Sequence, residues 1–221
     1  NRGAADVGAD SIGLNIVLAH EQAPNPYVTP GLSFQFHYFA LRKMHFLLRA
    51  RAVAVFPGGF GTHDEGFEIL TLAQTGKSDP QPIVCLQAPG CDYWDDWYGF
   101  VTRQLLARKL INPEDLSLFK ITTSVDEAID EIKHFYRRFH SIRYVGRLLT
   151  MRLKTAISPE QVAVLHDTFG DLLSEGTFEL RGPLPEELDE PDLRDLSRLT
   201  FMSNRRSASR LRQLIDHLNN L

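Results

Sequence analysis

The stretch Phe56-Pro57-Gly58-Gly59-Phe60-Gly61-Thr62-His63-Asp64-Glu65 places three glycines, a hydroxyl, an imidazole and two carboxylates close together in the chain. Glycine lets backbone N–H groups approach a ligand closely, and a helix N-terminus favours an anion. The segment therefore predicts a phosphate cradle built from Gly58, Gly59, Phe60, Gly61 and Thr62. It matches neither standard nucleotide fingerprint. A G-x-G-x-x-G reading fails at Asp64, and Gly76-Lys77-Ser78 has Thr71 where a Walker motif needs its first glycine. That triplet also closes a predicted helix, where a Walker lysine opens one.

Glu65 admits two readings. Thr62-x-x-Glu65 is the pattern of a capping box, in which the threonine side chain holds the N3 amide and the glutamate reaches back to the N-cap amide. Alternatively, a carboxylate beside a phosphate site is repulsive unless it has work to do, and catalytic carboxylates sit where their acidity can be tuned. A metal site from His63, Asp64 and Glu65 is a poor fit, because adjacent helical residues point in different directions.

Two further clusters bear on an anionic ligand. Arg42 and Lys43 lie on the helix that precedes the strand delivering the glycine loop; the plainer reading makes them solvated-face charges. Glu21 and Asn25 belong to a polar, proline-stiffened loop after the first strand, at a strand end where open α/β sheets bind ligands. An ordinary surface turn accounts for that loop equally well. Phe34, Phe36, Tyr38 and Phe39 suggest helix packing or a dimer face, and Trp94 and Trp97 a helix start with packed indoles.

These residues need a framework that presents strand ends and helix starts together. The first 140 residues supply one by alternating the two signals. Strands are expected over 11–18, 52–56, 82–86 and 118–121, and helices over 33–50, 62–75, 94–109 and 125–139. The result is an α/β fold with a Rossmann-like parallel sheet flanked by helices. The texture changes near Ser141. Residues 141–221 read as a small α+β extension, with helices over 159–174 and 207–218, strands over 177–180 and 198–202, and an acidic, proline-bearing loop over 183–195. The organisation expected is a nucleotide-binding domain over 1–140 with this appendage. Only one strand precedes the central motif, so N-terminal strands are expected to lie outside the sequence.

Composition narrows the function further. With 24 basic and 28 acidic side chains the net charge is −4, which speaks against a strongly basic nucleic-acid binder or a polybasic membrane patch. At 43% hydrophobic and 24% charged the chain can bury a sizeable core. No apolar run reaches membrane-spanning length, and a cytoplasmic location is expected. Cys85 and Cys91 are too few for a disulfide framework or a four-ligand zinc site.

Arg42-Lys43 followed by Pro57-Gly58-Gly59-Phe60-Gly61-Thr62-x-x-Glu65 resembles the LONELY GUY family of nucleoside 5′-monophosphate phosphoribohydrolases, often mislabelled lysine decarboxylases. The resemblance covers about residues 1–139, and Asn1-Arg2-Gly3-Ala4 looks like the end of that family's earlier glycine-rich motif. It implies a Rossmann-like homodimer or larger homo-oligomer that cleaves the bond between base and ribose 5-phosphate. It further implies Glu65 and Arg42 as the catalytic pair, with Gly58, Gly59, Gly61 and Thr62 holding the phosphate and Lys43 in support. Metal and organic cofactor are not called for. Three departures stand out: Asp64 where plant-type members often carry a second glutamate, His63 where an apolar residue is usual, and the extension beyond Ser141. They leave base preference open.

The implied chemistry is hydrolysis through an oxocarbenium-like ribosyl transition state, which a nearby carboxylate stabilises. Lysine decarboxylation would need a pyridoxal-binding lysine with its own phosphate site, and the sequence indicates none. A second reading is a non-catalytic carrier that uses the same cradle for a nucleotide or a pterin-type cofactor. Retention of both Glu65 and Arg42 favours the enzyme.

Overall fold

A buried parallel strand is apolar on both faces, and β4 (Ile83–Leu86) has this character, with all four of its residues buried. It is the middle strand of a parallel sheet, between β3 (Val53–Val55) and β5 (Phe119–Thr122). The computed structural model describes residues 1–17 and 25–221. They fall into two compact units, Asn1–Ala50 and Arg51–Leu221. Among the described residues, no helix is long and apolar enough to cross a membrane.

The first unit holds a short helix, α1 (Arg2–Asp6), then β1 (Gly13–Ile16), β2 (Ser33–Phe36) and α2 (Phe39–Leu48). β1 and β2 pair in parallel, Gly13 opposite Ser33 and Ile16 opposite Phe36. The single helix expected over 33–50 is thus divided. Ser33-Phe34-Gln35-Phe36 alternates polar and aromatic residues with a period of two, which suits a pleated strand. The helix begins only after Tyr38, whose backbone is extended.

In the second unit, α3 (Phe60–Gln74), α4 (Tyr93–Phe100) and α5 (Val125–Phe135) accompany the parallel sheet, an α/β arrangement of the Rossmann-like kind. α4 passes into a π-helical turn over Val101–Leu106, so the helix expected over 94–109 is regular only in its first half. Ser124 caps α5 through a bond from the Glu127 amide, and Thr122 donates to the Glu127 carboxylate.

The C-terminal extension adds a separate antiparallel sheet. β6 (Phe139–Val145), β7 (Leu148–Leu153), β8 (Leu173–Arg181) and β9 (Ser197–Ser203) are ordered β6-β7-β9-β8, with α6 (Pro159–Phe169) and α7 (Ala208–Asn220). Its core brings together Leu149, Met151 and Leu199 from the sheet, Leu165 from α6, and Leu214 and Leu218 from α7. Phe135, at the end of α5, is buried in the same core. A polar clasp secures the junction. Asn219 of α7 is fully buried, accepts from the Arg138 and Phe139 amides at 2.8 and 3.0 Å, and donates to the Phe135 carbonyl at 2.6 Å.

The acidic loop over 183–195 folds onto this sheet through buried charge. Glu187 receives Arg152 Nε at 2.7 Å, Arg198 Nε at 3.3 Å and the Leu184 amide at 2.9 Å. Glu190 pairs with Arg152 and, at 2.6 Å, with Arg143. Buried charges persist only when matched in this way.

Candidate active site around the glycine loop

β3 ends at Val55, and after Phe56-Pro57-Gly58 the chain enters α3 with Gly59 as its N-cap, extended at φ −87° and ψ −155°. The helix therefore starts three residues earlier than the capping-box pattern implies. Thr62 sits inside the first turn, and no side-chain cap bond forms at Gly59. The box reading of Thr62 and Glu65 is overturned, because Gly59 takes the cap position with its backbone alone. Thr62 and His63 return their amides to the Gly59 carbonyl at 3.0 and 3.3 Å, while the amides of Phe60 and Gly61 lie in the first turn, where a helix has no acceptor of its own.

The glycines differ in what surrounds them. A Cβ at Gly58 would stand 2.2 Å from the Thr62 hydroxyl, so that glycine is demanded by packing. At Gly59 and Gly61 an added Cβ would meet nothing within 4 Å. Neither has a positive φ. Inside the first turn glycine is costly relative to alanine, and neither packing nor backbone conformation requires it at Gly61; at Gly59, the N-cap, glycine is itself preferred to alanine.

Glu65 is half-buried on α3, three residues after Thr62 and four after Gly61, so it shares their face of the helix. His63 turns to a different partner. Tyr93, the first residue of α4, donates its hydroxyl to the Gly58 carbonyl at 2.5 Å and lies 2.8 Å from His63 Nε2. The phenol has one proton, already given to Gly58, so His63 must donate through Nε2–H. The two rings stack at 5.7 Å.

Tyr93 is itself fixed from the sheet. Gln87, buried just beyond β4, accepts from the Trp94 amide at 2.6 Å and donates to Asp95 at 2.7 Å, which ties down the first turn of α4. Trp94 is buried and meets Trp97 edge-on at 5.6 Å, the packed-indole arrangement its sequence suggests. Tyr93 and Gln87 are the members of this site that sequence reasoning missed. Cys85 lies on β4, where burial pushes its thiol up to about 12 and keeps it a poor nucleophile.

The remaining candidates lie in the first unit. Arg42 and Lys43 are both partly buried on α2. Asn25 accepts from the Tyr27 amide at 3.0 Å in a local turn. Glu21 lies outside the described residues.

Residues 1–132 match the protein family described as possible lysine decarboxylase. The chain belongs to this family. Within this possible lysine decarboxylase family member, the matched region contains the whole glycine loop, α3 and Tyr93, and it ends inside α5. The extension from β6 onward lies beyond the match. Comparison with curated proteins finds no match.

Proposed function

We propose that the protein is a phosphoribohydrolase of the LONELY GUY type, which hydrolyses a nucleoside 5′-monophosphate to free base and ribose 5-phosphate. The observation that carries this reading is the open space at Gly59 and Gly61, with the glycine at Gly61 dispensable to the fold and useful to a ligand. A 5′-phosphate seated there receives first-turn amides and the positive end of α3.

Glu65, one turn further along the same face, is assigned to the anomeric carbon. As the bond from C1′ to the base nitrogen breaks, positive charge grows on the ribose and the carboxylate stabilises it. Water, oriented and deprotonated by Glu65, delivers hydroxide to C1′, and a proton leaves on the base. The resemblance assigns Arg42 as the second catalytic residue, with Lys43, Glu21 and Asn25 assigned to the substrate. Phosphate binding, remote from the reacting bond, serves to hold C1′ in place. No metal or organic cofactor enters this scheme, and a homodimer or larger homo-oligomer is the assembly it implies.

Incubating the full chain with AMP and following adenine release tests the reading. Appearance of adenine and ribose 5-phosphate in equal amounts supports it. Tight AMP binding without turnover would instead favour a carrier.

A further inference from the structure

α3 carries the glycine loop at one end and a large cavity at the other. The cavity, of about 660 Å³, lies between the Gly76-Lys77-Ser78 turn and the start of α7, and is the size of a small-molecule site. At 15 residues, α3 separates it from the glycine loop by about 22 Å. We propose that this cavity is a second ligand site, for a phosphorylated small molecule that also carries hydroxyl or amine donors. It goes beyond the hydrolase reading and does not depend on it.

Four cations line the cavity, and three of them, Lys77, Arg205 and Arg206, form no ion pair among the described residues. Arg205 is held in place: its guanidinium lies 4.1 Å over the Tyr144 ring and donates to the Gly146 carbonyl. A stacked guanidinium with donors to spare suits a phosphate. The first turn of α7, capped by Ser207, adds its positive end to the same wall. The other lining charges are spoken for. Asp115 accepts from Gln74, Ser209 and the Asn112 amide, and Arg212 is paired with Glu131 and Asp216.

The wall also holds an unsatisfied group. Gln81 is 9% exposed, and its Oε1 has no hydrogen-bond partner among the described residues. A buried acceptor left unmatched is costly, and a ligand donor would relieve it. Cations call for phosphate and Gln81 for a donor, which together define the class.

The test uses the full chain with glucose 6-phosphate and, separately, inorganic phosphate. Binding is followed by calorimetry and by amide exchange over residues 75–81 and 203–210. Saturable binding that protects both segments is expected. The doubly charge-reversed variant Lys77→Glu, Arg206→Glu should weaken both probes by at least about tenfold. Gln81→Met should weaken glucose 6-phosphate alone. No protection by either probe at millimolar concentration, or protection untouched by charge reversal, would overturn the proposal. Equal weakening of both probes by Gln81→Met would contradict the donor half of it.

Discussion

Tyr93 and His63 lie 2.8 Å apart and together hold the glycine loop from behind, because the tyrosine hydroxyl spends its proton on the Gly58 carbonyl. A loop that must grip an anion with its backbone gains from being fixed before the ligand arrives. Tyr93→Phe keeps the ring stack and removes both hydrogen bonds. It should raise the KM for AMP by roughly five- to thirtyfold, the equivalent of about 1–2 kcal/mol, and leave kcat within about twofold. Steady-state kinetics on the two proteins decides this; a loss confined to kcat would contradict a positioning role.

The glycines make a sharper prediction, since packing and ligand approach separate them. Gly61→Ala, inside the first turn, should leave the unfolding midpoint unchanged or slightly higher, because alanine favours a helix by up to about 1 kcal/mol. It should nevertheless lose at least about tenfold in affinity for AMP. Gly58→Ala should lower the midpoint, because its Cβ meets the Thr62 hydroxyl. Thermal unfolding alongside AMP titration reads both quantities, and equal destabilisation by Gly58→Ala and Gly61→Ala would remove the argument for a cradle.

Much of this framework is legible in the sequence, for physical reasons that also explain the failures. β3 and β4 announce themselves as short apolar runs, and β4, the middle strand, is buried throughout. β2 is hidden, since four alternating residues run directly into the apolar start of α2 and the two periods blur. The capping-box pattern misplaces the start of α3 because Gly59 caps with its backbone, and glycine is a weak helix signal. Tyr93 could be found only through the fold, as it lies 35 positions from Gly58 and follows a loop with no motif of its own. The same holds for the buried pair of Arg152 and Glu187, whose members lie 35 positions apart.

Asn219 tests how firmly the extension is joined to α5. Asn219→Ala leaves one buried amide, one partly buried amide and a buried carbonyl without partners, at about 1–3 kcal/mol each, for a total of about 3 kcal/mol or more. The urea midpoint should fall with the slope unchanged. A loss below about 1 kcal/mol would mean that water replaces the side chain.

The Glu187 cluster makes stability depend on pH. Burial pushes the Glu187 carboxyl up, but the Leu184 amide and the guanidiniums of Arg152 and Arg198 outweigh it, and its pKa lies below the usual carboxylate value. A carboxyl whose folded pKa is depressed contributes stability above the unfolded pKa of about 4.3, and loses it as pH falls through the lower folded value. Glu187→Gln should therefore cost about 3 kcal/mol at neutral pH. The gap between the two proteins should narrow below about pH 4. Unfolding midpoints from neutral to acid pH measure it; a gap that stays constant would show that the charge contributes nothing.

The carboxylate on α3 bears the whole catalytic assignment, and Glu65→Ala tests it most directly. With AMP as substrate and adenine release as the readout, the variant should bind AMP within about threefold of wild type by calorimetry and turn over at least about a thousandfold more slowly. Adenine release by Glu65→Ala at the wild-type rate would contradict the account.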